Sequence, residues 1–207
     1  MIAPRPQPSV VRLAEAALPT RFGPFRISVF QVEPASEVVA LVHGTLSPGP
    51  VLLRLHSECL TGDVLGSERC DCGTQLDASL ARLARSRSGL LIYLHQEGRG
   101  IGLADKIRAY ALQDSGLDTV DANTALGLPV DARDYGAAVA VLRHLGVVRV
   151  RLLTNNPLKQ EALARRGIEV VERVPLEMPQ NRSNAGYLRT KRDRMGHLLN
   201  LPAAPPG

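Results

Sequence analysis

At 207 residues, with 44% hydrophobic and 22% charged residues, the chain is long enough for one domain with a substantial core and too short for two typical catalytic domains. Its 25 Lys and Arg against 20 Asp and Glu give a formal +5, which suits an anionic partner, while 3% aromatics leave too few rings for a base-stacking platform, so no nucleic-acid partner is expected. No apolar run serves as a signal peptide or reaches membrane-spanning length, so a cytoplasmic location without a membrane partner is expected.

The first twenty residues, with Pro4, Pro6, Pro8 and Pro19, read as an arm, and 202–207 as a short disordered tail. Between them, 38–42 and 51–55 have the apolar character of strands. Leu76, Leu80 and Leu83 mark one face of a helix that follows Gly73. A continuous apolar run at 90–94 predicts a buried strand, and 101–113 a helix. The stretch 119–135 is polar and turn-rich and reads as a loop, with Asp131 or Asp134 capping the next helix. That helix covers about 135–145, turns Ala138, Val141, Leu142 and Leu145 inward, and stops at Gly146. A strand at 148–153, a helix at 157–166 and a strand at 168–171 form the best βαβ unit. The alternation implies an α/β fold, read as a three-layer α/β/α single domain with a mixed β-sheet.

All three cysteines fall in one stretch, Arg54-Leu-His-Ser-Glu-Cys59-Leu-Thr-Gly-Asp63-Val-Leu-Gly-Ser67-Glu-Arg69-Cys70-Asp-Cys72-Gly-Thr-Gln75. A small odd set in a reducing compartment argues for metal or reactivity over disulfides. One residue between Cys70 and Cys72 lets two thiolates reach a common ion, and Gly62 and Gly66 let the loop bring Cys59 back to them. Soft thiolates favour tetrahedral zinc. His56 offers a fourth ligand, which would make the site structural. Glu58, Thr61, Asp63, Ser67 and Arg69 have no evident folding purpose and favour a catalytic site with three protein ligands and water. Three thiolates leave such a site a net negative charge, so a protein acid or base must assist, and Arg54 and Arg69 could balance the charge.

Two further segments have the character of anion loops. After the 90–94 strand comes His95-Gln-Glu97-Gly98-Arg99-Gly100-Ile-Gly102, whose alternate glycines let backbone approach a ligand; an ordinary tight turn is the alternative. Leu153-Thr154-Asn155-Asn156-Pro157-Leu158-Lys159 opens the helix of the βαβ unit. Capping by Asn155 or Asn156 and proline tolerance explain most of it. They leave Lys159 unexplained, because a cation near the positive end of a helix makes more sense opposite a phosphate.

Taken in order, these motifs resemble GTP cyclohydrolase II, from Arg54-Leu-His-Ser-Glu-Cys-Leu-Thr-Gly-Asp through Arg69-Cys-Asp-Cys-Gly-x-Gln-Leu76 and Gln96-Glu-Gly-Arg-Gly-Ile-Gly-Leu103 to Leu153-Thr-Asn-Asn-Pro157. The resemblance runs from about Leu18 to Leu199 and sets the expected bounds at 1–17 for the arm, 18–200 for the catalytic domain and 201–207 for the tail. It implies that Cys59, Cys70 and Cys72 hold one zinc with water in the fourth position. It also implies that Arg54, Leu55, His56, Ser57, Glu58, Gln75, Glu97, Gly98, Arg99, Thr119, Thr154 and Lys159 surround GTP. Asp131 matches the family's proton acceptor, Arg133 its proposed nucleophile at the α-phosphate, and Tyr110 the tyrosine linked to completing the ring chemistry. A guanidinium has no lone pair to offer, so Arg133 reads better as an electrostatic clamp. The implied reaction opens the guanine imidazole ring, releases formate and pyrophosphate, uses Mg²⁺ with the triphosphate, and starts riboflavin synthesis in a homodimer. Ala132 stands where relatives often carry a charged or larger residue. Without room for the preceding domain of many relatives, the chain is expected to be a cyclohydrolase only. The alternatives are a zinc-stabilised nucleotide or RNA binding module without catalysis, and a paralogue that stops at the formamidopyrimidine.

Overall fold

The apolar runs become the middle of a mixed sheet. The structure is a computed structural model that describes residues 8–33, 36–46 and 48–201. β1 (Val10–Thr20), β2 (Gly23–Val32) and β3 (Ser36–Gly44) form an antiparallel meander. β4 (Val51–Ser57), β5 (Ser88–Leu94), β6 (Arg149–Leu153) and β7 (Glu169–Val174) run parallel to one another. The spatial order is β1-β2-β3-β5-β4-β6-β7, with β5 antiparallel to β3. Six helices accompany them among the described residues: α1 (Cys72–Ala84), α2 (Leu103–Asp114), α3 (Thr119–Ala125), α4 (Gly136–His144), α5 (Pro157–Ala164) and α6 (Ala185–Met195).

Both faces of the sheet are covered, as parallel strands require. On one face Leu53, Leu55, Leu90 and Ile92 pack with Ala138, Val141 and Leu142 of α4 and Leu163 of α5. On the other, Leu52, Leu91 and Leu153 pack with Leu83 of α1, and Leu76 and Leu80 join them partly buried. This is the three-layer α/β arrangement with a mixed sheet that the alternation implied. Side chains alternate along β4, so Arg54 and His56 share the α1 side with Leu52. They are charged or polar groups emerging from a sheet interior, at 5% and 2% exposure.

From β4 the chain passes through α1 to β5 on one side. From β6 it passes through α5 to β7 on the other. Strand order therefore reverses between β4 and β6, and a crevice opens outside their carboxyl ends, where open α/β sheets bind ligands.

Two expectations need correction. Val10–Thr20, within the stretch read as an arm, is an edge strand with an irregularity at Leu13; Pro19 sits opposite Pro24 at its end, where an edge accepts proline. Most of its side chains are exposed, so it has no core pattern to betray it. Residues 1–7 of that arm and the tail 202–207 lie outside the described residues. The polar stretch read as a loop contains α3, whose first turn is capped by Asp118 accepting from the amides of Val120 at 2.7 Å and Asp121 at 2.9 Å. Asp134 does accept from the Gly136 amide at 2.6 Å ahead of α4, but Asp131 turns elsewhere. Gly146, with φ 71°, follows α4 as expected. Among the described residues no helix is long and apolar enough to cross a membrane.

Leu142 is completely buried between α4 and the sheet. Leu142→Ala is expected to lower stability by about 2–5 kcal/mol in urea denaturation; a loss below about 0.5 kcal/mol would show that this layer does not hold the fold.

Candidate active site

Loops leaving the carboxyl ends of β4, β5 and β6 meet α2 and α6 around one open cleft. After β4 the chain reaches Cys59, makes a π-helical turn over Leu60–Val64, and returns to Cys70 and to Cys72 at the start of α1. The three sulfurs lie within 4.8 Å of one another, and those of Cys59 and Cys70 are 3.7 Å apart. Glycine makes this cradle possible. A Cβ on Gly62 would stand 2.9 Å from the Cys70 Sγ and 3.3 Å from the Cys59 Sγ, and one on Gly73 would stand 2.2 Å from the Gly62 carbonyl oxygen.

The sulfurs share negative charge unevenly. Bonds from the Cys70 and Cys72 thiols stabilise the Cys59 thiolate, and Thr61 and Lys106 add to them against the opposing cost of burial. Cys70 and Cys72 are held above the ordinary thiol range, first by Cys59 and then by burial. Ionising all three sulfurs requires a cation among them. Three soft donors with no carboxylate or imidazole in the group suit zinc, whereas Mg²⁺ prefers oxygen.

His56 does not join the sulfurs. Its Nε2 lies 2.9 Å from Asp63, and its ring stacks on Tyr93 with centroids 5.4 Å apart. Asp63 also accepts from the Cys59 amide and the Tyr93 hydroxyl, each at 3.0 Å. Burial lowers the His56 pKa, and the Asp63 bond only partly offsets it. The ring therefore braces the backbone at Cys59.

The same cleft is also cationic. Arg54 donates to the Leu153 carbonyl at 3.1 Å and to Gln75 at 2.7 Å, and Gln75 passes a bond to Asp71. Burial lowers the Arg54 pKa to about 10. Lys159 reaches from the first turn of α5 to the Leu55 carbonyl at 2.8 Å; burial pulls its pKa well down, and Arg54 and Arg133 pull it further. Arg133 is gripped by both oxygens of Asp131, with Nε 2.8 Å from Oδ1. Arg54 Nε and Arg99 Nη1 are buried with no partner among the described residues. Unused donors beside clustered cations make an anion site.

The cleft brings together Arg54, His56, Ser57, Glu58, Gln75, Glu97, Gly98, Arg99, Tyr110, Thr119, Arg133, Thr154, Lys159 and the three cysteines. Two nominated side chains stand apart. The Leu55 side chain enters the core, leaving only its carbonyl for Lys159, because alternation along β4 turns it away. Asp131 lies behind Arg133 and outside the lining. Glu97 uses its carboxylate to join loops, accepting from Lys106 Nζ at 2.8 Å and from the amides of Leu60 and Gly98 at 2.7 Å. Gly98 and Arg99 both adopt φ 62°, so this loop is more than an ordinary turn. Gly100 lies against Ala132, whose carbonyl oxygen would be 3.0 Å from an added Cβ.

Several participants have no motif of their own. Lys106, only 8% exposed, donates to the Cys59 Sγ at 3.1 Å and to Thr61 at 2.8 Å. A signal for it exists: Lys106, Ala109, Tyr110 and Gln113 recur at the spacing of one helix face, and that face lines the cleft. Asp71, Tyr187, Lys191 and His197 also line it, with Lys191 donating to Asp71 at 2.6 Å.

The GTP cyclohydrolase II family profile matches residues 11–175. A Streptomyces coelicolor protein named GTP cyclohydrolase-2 is 57% identical over 198 residues, covering 94% of this chain and 90% of that protein. Riboflavin biosynthesis protein RibBA of Bacillus cereus is 56% identical over 194 residues, covering 93% of this chain and 49% of that protein, so this chain spans about half the length of the RibBA relatives it matches. A solved structure of RibBX, a two domain 3,4-dihydroxy-2-butanone 4-phosphate synthase from A. baumannii, aligns with 70% of this chain and 34% of that one at 22% identity and a TM-score of 0.41, a likeness too slight to bear on the site.

Gly62→Ala places a methyl group among the sulfurs. The variant is expected to bind added zinc at least about tenfold more weakly in a chelator competition while keeping its fold by circular dichroism, in line with losses on disturbing a metal-site shell. Unchanged zinc affinity would show that the cradle is not where the metal binds.

Proposed function

The chain belongs to the GTP cyclohydrolase II family, and from that premise we propose that it hydrolyses GTP, opening the guanine imidazole ring with loss of formate and pyrophosphate to leave a diaminopyrimidinone ribosylamine phosphate, the first step of riboflavin synthesis. The observation that supports this best is the pairing, in one cleft, of a three-sulfur cradle with a wall of buried cations. Each half suits one end of a purine nucleoside triphosphate.

Cys59, Cys70 and Cys72 would hold zinc, which when bound supplies Lewis acidity for adding water to the imidazole carbon. Arg54, Arg99, Arg133 and Lys159 bind the phosphates, and Mg²⁺ accompanies the triphosphate because it is a hard, oxygen-seeking ion. Gln75, Glu97, Thr119 and Thr154, with Ser57 and Glu58, orient the nucleoside. Burial resists ionisation of Asp131, but the bonds and charge of Arg133 outweigh it and keep the carboxyl below its ordinary pKa. The carboxylate is therefore ionised and fixes the Arg133 fork, while its part as proton acceptor follows from the family resemblance alone. Asp131 in turn keeps Arg133 protonated against the pull of burial, which suits an electrostatic clamp on charge developing at the phosphate. Burial pushes the Tyr110 hydroxyl up to about 12, so it remains a proton donor in the later ring steps. A cytoplasmic homodimer completes the proposal.

Incubation with GTP and Mg²⁺ is expected to release formate and pyrophosphate. Pyrophosphate alone would identify an enzyme that stops at the formamidopyrimidine, and neither product would identify a binding module. Asp131→Ala is expected to retain zinc by elemental analysis and to lose turnover by about two orders of magnitude or more, as removal of a general base does; near-normal formate release would take Asp131 off the catalytic list.

A further inference from the structure

α6 and the residues after it wall the cleft from a part of the chain beyond the family match, which stops at residue 175. Tyr187 and Lys191 are four residues apart on α6 and face the same way. The segment is fastened at several points. Leu188 is 1% exposed, Arg194 pairs with Asp118 and Asp121, and the Leu198 amide donates to the Asn155 carbonyl at 2.8 Å. Gly196, with φ 66°, ends the helix, and the His197 amide closes back on the Lys191 carbonyl at 3.0 Å. That reversal turns His197 into the cleft.

Among the described residues the His197 ring is held by no hydrogen bond at its buried Nδ1, and Arg99 Nη1 in the same cleft is likewise buried without a partner. Burial first, and then Lys191, Arg99, Arg133 and Lys159, lower the His197 pKa to about 3, so the ring is neutral among cations. The Tyr187 ring lies 4.4 Å from Lys191 Nζ and 5.6 Å from the Arg99 guanidinium carbon, holding two of those cations beside it. A neutral and a charged nitrogen that share one cleft, each without a partner among the described residues, call for an oxyanion.

We propose that residues 185–199 form a working wall of the nucleotide site, in which His197 and Arg99 donate to a phosphate oxygen of the bound substrate and Tyr187 is a positioning residue for the cations around it. The substrate's identity rests on the functional reading above, but phosphate recognition is measurable without turnover. In calorimetry on the zinc-loaded full chain, His197→Ala should bind inorganic tripolyphosphate about tenfold more weakly and guanosine unchanged, with the same zinc content. If the alanine variant melts early, His197→Phe, which keeps the ring's volume without a donor, must show the same selective loss. Tripolyphosphate binding at full strength in both variants, or an equal loss for both ligands, would overturn the proposal. A wild type whose tripolyphosphate affinity depends on His197 but which releases no formate from GTP would sink the cyclohydrolase reading and leave this inference standing.

Discussion

Three sulfur atoms packed within 4.8 Å and largely out of water cannot all be charged unless positive charge is supplied among and around them. Much of the site follows from that constraint. Lys106 lies against the Cys59 sulfur and also holds Thr61 and Glu97, so one ammonium joins the cysteine loop to the loop after β5. Asp71, between the other two cysteines, would add another negative charge. Lys191 from α6 answers it across 120 residues of sequence. Two lysines from separate helices thus balance the anionic side, and neither ammonium is free to leave its partners cheaply in so buried a place.

The cationic side has the opposite deficit. Arg54 and Lys159 are nearly buried, and their hydrogen bonds within the fold go to the Leu153 and Leu55 carbonyls and the Gln75 amide, not to carboxylates. Burial makes their charge costly, as the lowered pKa values of both groups record. A bound oxyanion relieves that cost, which gives the cleft affinity without a large contact area. The sheet topology sets this up. Because strand order reverses between β4 and β6, the chain departs to either side and leaves the carboxyl ends of both strands open to a ligand.

Elements buried on two faces were legible in the sequence, since 51–55, 90–94 and the inward face of α4 announce themselves as apolar runs or helical stripes. β1 was not, because an edge strand with exposed side chains has no burial pattern and the prolines before it and at its end suggest an arm. α3 was not, because a short helix built from Thr, Asp and Asn depends on its Asp118 cap more than on propensity. In the site, the glycines and cysteines were readable because their roles are local. Lys106 with Cys59, or Lys191 with Asp71, depends on distant segments meeting, and nothing in either local pattern names the partner. His56 shows the limit of spacing: it sits where a zinc ligand could, which left a fourth ligand open, yet Asp63 claims its Nε2.

The proposed chemistry requires that three cysteines hold a metal that GTP can approach. The most direct measurement is the absorption spectrum of the cobalt-substituted protein with and without GTP. Intense thiolate-to-metal and tetrahedral ligand-field bands that shift when GTP is added and vanish in Cys72→Ser are the expected result. Bands that ignore GTP at saturating concentration, as a closed four-ligand structural centre would give, would contradict that chemistry.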